Sequence, residues 1–220
     1  TMPNSPAVPS LQPCPRRFFA TDSVSLARTL LGCVLVRQLE SGERLSGMIV
    51  ETEAYLGIID KASHTFGSRR TPRNESMWAQ AGTAYVYFTY GMHHCMNVSA
   101  GHKGEPIAVL IRALEPLEGL ETMRRLRLAG GRRKTPLPDR ELCAGPARLC
   151  QALAIDRSLD GLDLTARGAL LCIEQRKSGC LADEDIAIGP RVGIRSAAEW
   201  ADKPFRFAVA NNLHTSRPRL

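Results

Sequence analysis

The feature that most constrains the fold is the segment from residue 82 to 100, GTAYVYFTYGMHHCMNVSA. Residues 84–90 are dense in aromatic and β-branched side chains, which favour a strand, and residues 93–99 predict the returning strand. Tyr90-Gly91 predicts the turn between them, because glycine accepts the positive φ that a tight reversal needs. We therefore expect a β-hairpin with an aromatic side chain at its tip.

The hairpin carries three of the four tyrosines in the chain, which are Tyr85, Tyr87 and Tyr90. Strand alternation places Tyr85 and Tyr87 on the same face. Tyr90 falls at or near the tip, where little of the protein can cover it. Such a residue is poorly placed to build a core and well placed to enter a partner molecule. The alternative is that Tyr90 packs as an ordinary strand-end residue.

Length and composition predict one globular domain. The chain has 220 residues, of which 44% are hydrophobic and 23% charged. Residues 1–15 contain five prolines and few large apolar side chains, so we expect a flexible tail followed by one domain at 16–220. No apolar run reaches the length of a membrane span, and no signal-peptide pattern is evident. The seven cysteines form no CxxC pair, which predicts reduced thiols and neither a zinc site nor a disulfide framework.

The charge balance favours a polyanionic partner. The formal net charge is +7, and the isoelectric point is about 9.3. Two basic clusters add weight to nucleic acid, although a solvated surface without a ligand is the alternative for either cluster. The clusters consist of Arg69, Arg70 and Arg73 before the hairpin, and Arg124, Arg125, Arg127, Arg132, Arg133 and Lys134 after it.

The remaining patterns predict a sheet with helices packed around it. Strands are predicted at 33–39, 44–55, 107–114, 168–174 and 205–209, and helices beginning at Asp22 or Ser23, at Glu115-Pro116 and at Gly145-Pro146. The first strands are joined as hairpins, which predicts an antiparallel or mixed sheet and an α+β single-domain fold.

The most chemically informative strand is IVETEAY at residues 49–55. Alternation places Glu51, Glu53 and Tyr55 on one face. An unpaired buried carboxylate is unfavourable by several kcal/mol or shifts its pKa, so each glutamate requires a partner. Arg112 interrupts an apolar strand and should seek a carboxylate. One glutamate is then structural and the other a general base, or the set is a buried ion pair without catalysis.

No metal or nucleotide cofactor is expected. The glutamates with His64, His93 or His94 would be candidate ligands, but no HxH, HExxH or clustered aspartate pattern occurs. No glycine-rich phosphate loop of the Walker or dinucleotide type occurs either.

Six sequence blocks carry a family resemblance. They are VETEAY (50–55), ASH (62–64), TPRN (71–74), YVYFTYGMHHCMNV (85–98), IRALEP (111–116) and ELCAGPARLCQAL (141–153). In order and spacing they resemble the alkyladenine (3-methyladenine) DNA glycosylase family, over roughly residues 16–210. The resemblance implies a curved β-sheet surrounded by helices, with a protruding hairpin that enters damaged duplex DNA.

The resemblance also implies a role for individual residues. A tyrosine at the hairpin tip, here Tyr90, replaces a nucleotide swung out of the duplex, and the flipped purine stacks between Tyr55, Tyr87 and His64. Asn97 would form the pocket floor and disfavour guanine. Glu53 would activate a water that attacks C1′, with Arg112 helping to hold it. The implied DNA contacts outside the pocket are Met92, Arg73, Arg127 and Arg148.

The implied activity is that of a monofunctional glycosylase with no lyase activity, cofactor or metal. Its substrates would be duplex DNA containing alkylated or deaminated purines (3-methyladenine, 7-methylguanine, hypoxanthine, ethenoadenine), and its role would be to begin base excision repair. The expected protein is a monomer without membrane partners, located in the nucleus or, in a prokaryote, in the cytoplasm and nucleoid. The alternative is a non-catalytic binder of distorted or damaged DNA. A deaminase is disfavoured because its HxE…PCxxC signature is missing.

Overall fold

The structure is a computed structural model that describes residues 12–129, 137–175 and 181–220. The helices in these ranges are α1 (Arg16–Phe19), α2 (Ser23–Thr29), α3 (Leu120–Leu128), α4 (Asp139–Leu142) and α5 (Pro146–Ala152). The strands are β1 (Val34–Gln38), β2 (Arg44–Tyr55), β3 (Ala84–Thr89), β4 (His93–Ser99), β5 (Ala108–Glu118), β6 (Leu171–Glu174), β7 (Ile186–Gly189) and β8 (Arg206–Val209). The predicted α+β class is confirmed.

The described strands form one antiparallel sheet in the order β3-β4-β5-β2-β1-β6, with β8 and β7 branching from β2. One edge of β2 pairs with β5. The other edge pairs first with β1, through Arg44–Met48, and then with β8, through Glu51–Glu53. Register shifts around Glu51 accompany this change of neighbour, and bulges of this kind bend a strand. The sheet therefore curls where the two glutamates lie.

Helices cover the apolar face of the sheet. Asp22 caps α2 by accepting hydrogen bonds from the N–H groups of Val24 and Ser25, as its sequence pattern predicts. Thr52 Oγ1 on β2 donates to the Ala27 carbonyl oxygen at 2.8 Å, which ties α2 to the sheet. The core includes side chains from the helices and the central strands, among them Leu26, Leu30, Ile49, Ile111, Leu114, Met123 and Leu149.

One element prediction was wrong, and one strand was not predicted. The helix predicted from Glu115-Pro116 begins at Leu120 instead, because residues 115–118 continue β5 and Pro116 lies opposite Gly47 of β2. Sheet pairing thus overrides the local helix signal, and Gly119, with a φ of +77°, makes the break. Strand β7 was not predicted, since it is only four residues long and pairs with β8 alone among the described strands.

The predicted tail at 1–15 is described only from residue 12. Pro13 bridges to Glu174, and the Cys14 N–H donates to the Ile173 carbonyl oxygen at 2.7 Å. Cys14 is fully buried, so packed structure extends at least two residues ahead of residue 16. Residues 1–11, most of the arginine-rich loop (130–136) and Cys180 lie outside the described residues.

The six cysteines of the described ranges are buried, and no two of them form a disulfide. In the same ranges, no helix combines the length and the apolar character needed to cross a lipid bilayer.

Candidate active site

A cleft of about 410 Å³ opens between the β3–β4 hairpin, the end of β2 and the loop around residues 192–197. It brings together most of the side chains that the sequence predicted for one site. Those that line it are Tyr55, His64, Tyr87, Tyr90, Asn97 and Arg112. Side chains as far apart in the chain as Tyr55 and Arg112 therefore meet at one cleft, because β4, β5 and β2 are consecutive strands of the sheet.

One wall of the cleft is aromatic. The rings of His64 and Tyr87 pack edge to face with centroids 4.7 Å apart, and the Tyr85 ring lies 5.3 Å from that of Tyr87. The Tyr85 hydroxyl is 2.8 Å from His64 Nδ1. Sequence analysis gave Tyr85 no role beyond sharing a face with Tyr87, whereas the structure shows that it orients the imidazole.

Burial lowers the pKa of His64 to about 4, and the positive charges of Arg73 and Arg69 act in the same direction. The imidazole is therefore neutral at physiological pH. A phenol as buried as Tyr85 donates its proton to a nearby acceptor, and Nδ1 is the acceptor at hand. This arrangement leaves the His64 proton on Nε2, at the other edge of the ring.

Asn97 contributes to the inner surface of the cleft. It lies on β4 opposite Tyr85, and its Nδ2 donates to the Tyr85 carbonyl oxygen at 3.1 Å. This bond sets the orientation of the amide, which is only 4% exposed.

Glu53 lies directly behind the cleft wall and has no exposed surface. Its Oε1 accepts from the Val192 N–H at 2.7 Å and lies 3.1 Å from Arg112 Nη1. Its Oε2 accepts from the Tyr55 hydroxyl at 2.9 Å. All three of these partners line the cleft. Burial, followed by the Glu53 charge, raises the pKa of Tyr55, so the phenol stays protonated and keeps donating.

Glu51 has a different environment, although it lies two residues away on the same strand. Its carboxylate accepts from Arg112 Nε at 2.8 Å, from Arg206 Nε at 2.7 Å, and from both the N–H and the hydroxyl of Ser216 at 2.6 and 2.8 Å. Burial acts to raise the pKa of Glu51, but the charges of Arg112 and Arg206 outweigh it, and the pKa is lowered. Glu51 is therefore an ionised anchor that fixes Arg112.

The sequence patterns did not predict the Arg191–Asp60 ion pair, which holds the loop at residues 192–197 beside the cleft. Arg191 is buried and binds both carboxylate oxygens of Asp60, at 2.5 and 2.9 Å, and the Ala54 carbonyl oxygen at 2.9 Å. Its guanidinium also lies over the Tyr55 ring, 4.7 Å from the centroid. These contacts fix the start of the loop so that Val192 N–H reaches Glu53. No periodicity or motif around Arg191 signals this role.

The hairpin tip projects away from the protein. Tyr90 is 83% exposed and Met92 is 68% exposed. The Met92 N–H donates to the Thr89 carbonyl oxygen at 3.2 Å, and both central residues of this turn have positive φ, +51° at Tyr90 and +67° at Gly91. Positive φ is uncommon for an aromatic residue. The predicted turn is thus present, in the form that suits the twist of a two-stranded ribbon.

The predicted DNA-contact arginines are spread over three places. Arg73 is attached to the hairpin, since it donates to the Phe88 carbonyl oxygen at 3.1 Å and lies over the Tyr87 ring at 5.2 Å. Arg127 is half-buried and donates to the Leu142 carbonyl oxygen at 3.1 Å. Arg148 is exposed on α5 and lines a second cleft instead of the first.

Comparison with known proteins identifies the family. A family model described as methylpurine-DNA glycosylase matches residues 17–213. The chain belongs to this family. The resemblance inferred from the six sequence blocks is thereby confirmed, and the match covers almost all of the described fold.

Named relatives agree with the family assignment. The human DNA-3-methyladenine glycosylase is 53% identical over 196 residues, covering 87% of this chain and 64% of that protein. The mouse protein of the same name is 51% identical over 196 residues, covering 87% of this chain and 57% of that protein. A relative from Carboxydothermus hydrogenoformans, assigned by name to 3-methyladenine DNA glycosylases, is 47% identical over 203 residues and is covered over 98% of its length. The chain thus spans about three fifths of the mammalian relatives and nearly all of the bacterial one.

Among the residues that the structure describes, no three His, Cys, Asp or Glu side chains converge as ligands for a metal ion.

Proposed function

We propose that this protein is a monofunctional DNA glycosylase that releases alkylated purines from duplex DNA and so begins base excision repair. The observation that carries the proposal is the position of Glu53. Its three hydrogen-bond partners, Tyr55, Arg112 and Val192, all line a cleft with an aromatic wall. Hydrolysis of an N-glycosidic bond requires a pocket that accepts a flat aromatic base and a carboxylate close to that bond, and this arrangement supports both.

Capture of the base begins with its extrusion from the duplex. Extrusion requires a few kcal/mol for lost stacking and pairing, and less for a damaged base. Tyr90 fills the vacated space, and stacking of a base on an aromatic ring contributes about 1–3 kcal/mol. The exposure of Tyr90 and the turn that presents it support this role. Met92 and Arg73 contact the DNA beside it.

The cleft then holds the purine between Tyr55 on one side and Tyr87 with His64 on the other. His64 offers Nε2–H as a donor to an acceptor on the base edge. Asn97, at the inner surface, disfavours normal guanine by crowding its exocyclic amino group. The hydrogen bond that fixes the Asn97 amide supports a selective role for it, since a fixed group rejects a misfit more strongly than a mobile one.

Hydrolysis uses the Glu53 carboxylate. It activates a water for attack on C1′ and stabilises the oxocarbenium character that develops on the sugar. Arg112, whose Nη1 lies 3.1 Å from Glu53 Oε1, helps to hold the water. Alkylation at N3 or N7 makes the purine a cationic leaving group, so its departure needs little assistance. The neutral lesions hypoxanthine and ethenoadenine need a proton from a general acid. His64 is a poor general acid at neutral pH, because its pKa is lowered to about 4 and the imidazole carries no second proton there.

Monofunctional chemistry agrees with the sequence blocks that carry the family resemblance, since none of the six contains a lysine that could form a Schiff base with the sugar. The proposed enzyme acts as a monomer without a cofactor and leaves an abasic site. It works where the DNA is, in the nucleus or in a prokaryotic nucleoid.

The test is a single-turnover assay on duplexes that contain 3-methyladenine, 7-methylguanine, hypoxanthine or ethenoadenine, followed by alkaline cleavage. Wild-type protein should release the alkylated bases, and Glu53→Gln should slow release by about 10²–10⁴-fold while binding is kept. Glu199→Gln, at an exposed carboxylate beside the same cleft, is the matched control and should retain activity.

Two outcomes would contradict the proposal. Binding of damaged duplexes by the wild type without any base release would identify a non-catalytic binder. Strand cleavage without alkali would show lyase activity and overturn the monofunctional assignment.

A further inference from the structure

A second cleft, of about 480 Å³, lies beside the first, and five of its lining residues are arginines. Its walls come from α4, from the start of α5 and from the C-terminal segment at 213–219. Four guanidinium groups surround it, those of Arg140, Arg148, Arg217 and Arg219, together with the carboxylate of Glu141. We call this set the arginine cleft. Residues 214–220 lie beyond the part of the chain that the family model matches.

The four exposed guanidinium groups of the arginine cleft outnumber its one carboxylate, that of Glu141, and so leave an excess of positive charge there. All four side chains are exposed, and within the described ranges none of them forms an ion pair with a carboxylate. Other arginines near the surface are paired, for example Arg16 with Asp163 and Arg44 with Glu118. Four like charges around one cleft repel each other, so the arrangement is stabilised when an anion enters.

The C-terminal arginines are held in place by the buried network behind the first cleft. The Ser216 N–H and hydroxyl bind Glu51, and Arg206 Nη2 donates to the Pro218 carbonyl oxygen at 2.6 Å. These bonds fix the backbone on both sides of Arg217 and immediately before Arg219. The two side chains therefore extend from a rigid segment, which reduces the conformational entropy lost when they bind a ligand.

The two clefts share part of a wall. Arg112 and Pro146 line both. The Arg112 guanidinium is already engaged by Glu51, Glu53 and Ser216, so the charge available to a ligand comes from the surface arginines. Each strand of duplex DNA carries one phosphate for about every 3.4 Å of the helix axis, so a strand with one nucleotide in the first cleft brings its next phosphates close to the second.

We infer that the arginine cleft binds phosphodiester groups of the DNA strand that flank the extruded nucleotide. This inference rests on the proposed function and assigns Arg217, Arg219 and Arg140 a role beside Arg148. Because phosphate contacts do not read sequence, the cleft adds affinity and orientation without base preference. It would help to keep the strand attached while one of its nucleotides is out of the helix.

The experiment compares the double variant Arg217→Gln/Arg219→Gln with the control double variant Arg17→Gln/Arg167→Gln, whose arginines are exposed and line neither cleft. Binding to a lesion-containing duplex is measured by fluorescence anisotropy over a range of salt concentrations. Each lost phosphate contact should lower the slope of log K against log salt by about 1, which is about tenfold in affinity at 0.1 M salt. The control should keep the wild-type slope. Equal slopes in the two double variants would overturn the inference.

Single methylphosphonate substitutions then locate the contact. Each substitution removes the charge of one phosphate at a chosen distance from the lesion. The wild type should lose affinity at one or two positions on one side of the lesion, and Arg217→Gln/Arg219→Gln should be insensitive at those positions. A duplex series in which the double variant responds at every position as the wild type does would also contradict the cleft.

Base release by the wild type reports the proposed function separately from these binding measurements. If the wild type releases no base but the double variant lowers the salt slope as expected, the glycosylase proposal is contradicted and the phosphate site is supported. If the wild type releases base but the double variant has the wild-type slope, the phosphate site is contradicted and the glycosylase proposal is supported.

Discussion

The cleft wall and the hairpin tip hold their functional side chains in different ways. At the wall, Arg112 and the two glutamates behind it, Glu51 and Glu53, are almost completely buried, and Arg112 binds both carboxylates. At the tip, Tyr90 is 83% exposed, and its position depends on two residues with positive φ. The wall is fixed by tertiary contacts from four parts of the chain, whereas the tip is fixed by a local turn.

This difference predicts which substitutions affect both folding and chemistry and which affect DNA binding alone. Changes in the wall should affect folding and chemistry together, because each charge there neutralises another in a medium of low dielectric constant. Changes at the tip should affect DNA binding with little effect on folding, because no other part of the described protein covers Tyr90. Each of the four variants below tests one side of this contrast.

The largest effect is expected for Glu51→Gln. Loss of this charge leaves Arg112 and Arg206 buried without their shared partner, and breaking a buried ion pair from one side lowers stability by about 3–5 kcal/mol. Urea denaturation measures the free energy of unfolding. Glu199→Gln, at an exposed ion pair, should leave that free energy almost unchanged. Equal losses of unfolding free energy in the two variants would mean that the buried Glu51 charge stabilises the fold no more than an exposed ion pair does.

Ser216→Ala should have the next largest effect. Its hydroxyl donates to Glu51 and accepts from Arg112 Nη2 at 3.0 Å, and the net contribution of a hydrogen bond to a charged group is about 1.5–3 kcal/mol. We expect a loss of about 2 kcal/mol in unfolding free energy and slower base release at unchanged DNA affinity. Ser41→Ala, at an exposed turn, is the control. A fall in affinity without a fall in rate would assign Ser216 to DNA binding instead.

A smaller effect is expected from the protonation of His64. Because its folded-state pKa is lowered to about 4, its contribution to stability is fully present above the ordinary pKa of 6.5 and is lost as pH falls toward 4. Between about pH 8 and pH 5.5 this group should reduce the unfolding free energy by about 1.4 kcal/mol. The measurement is the difference between wild type and His64→Gln at the two pH values, and identical pH dependence would contradict a neutral His64.

The smallest effect on stability is expected at the tip. Tyr90→Gly removes a side chain from a backbone conformation that glycine adopts readily, while it adds flexibility to the unfolded chain. We expect an unfolding free energy within about 1 kcal/mol of the wild type. Affinity for lesion-containing duplex should nevertheless fall by up to about 1–3 kcal/mol, the value of one base-aromatic stack. Large destabilisation would show that the tip is part of the core.

Much of the fold could be predicted because its signals are local. The strand at 93–99 and the strand at 44–55 have the predicted ends, since their alternation and turn residues lie within the segments themselves. Pro116 shows the limit of such signals. A proline after an apolar strand is typical of a helix start, yet pairing with Gly47 of β2 extends the strand instead. A distant partner decided that element.

The candidate site also has some features that local sequence signals predict and others that depend on distant partners. By itself, the sequence determined a local arrangement of the candidate side chains, since alternation groups Glu51, Glu53 and Tyr55 on one face and the glycine turn exposes Tyr90. Only the tertiary structure decided how the two glutamates differ: Ser216 and Arg206 enclose Glu51, while Glu53 meets Tyr55 and Val192 at the cleft. Alternation specifies the face on which a side chain lies, but its charge partners come from strands and loops far away in the chain, and only folding brings them within hydrogen-bond distance.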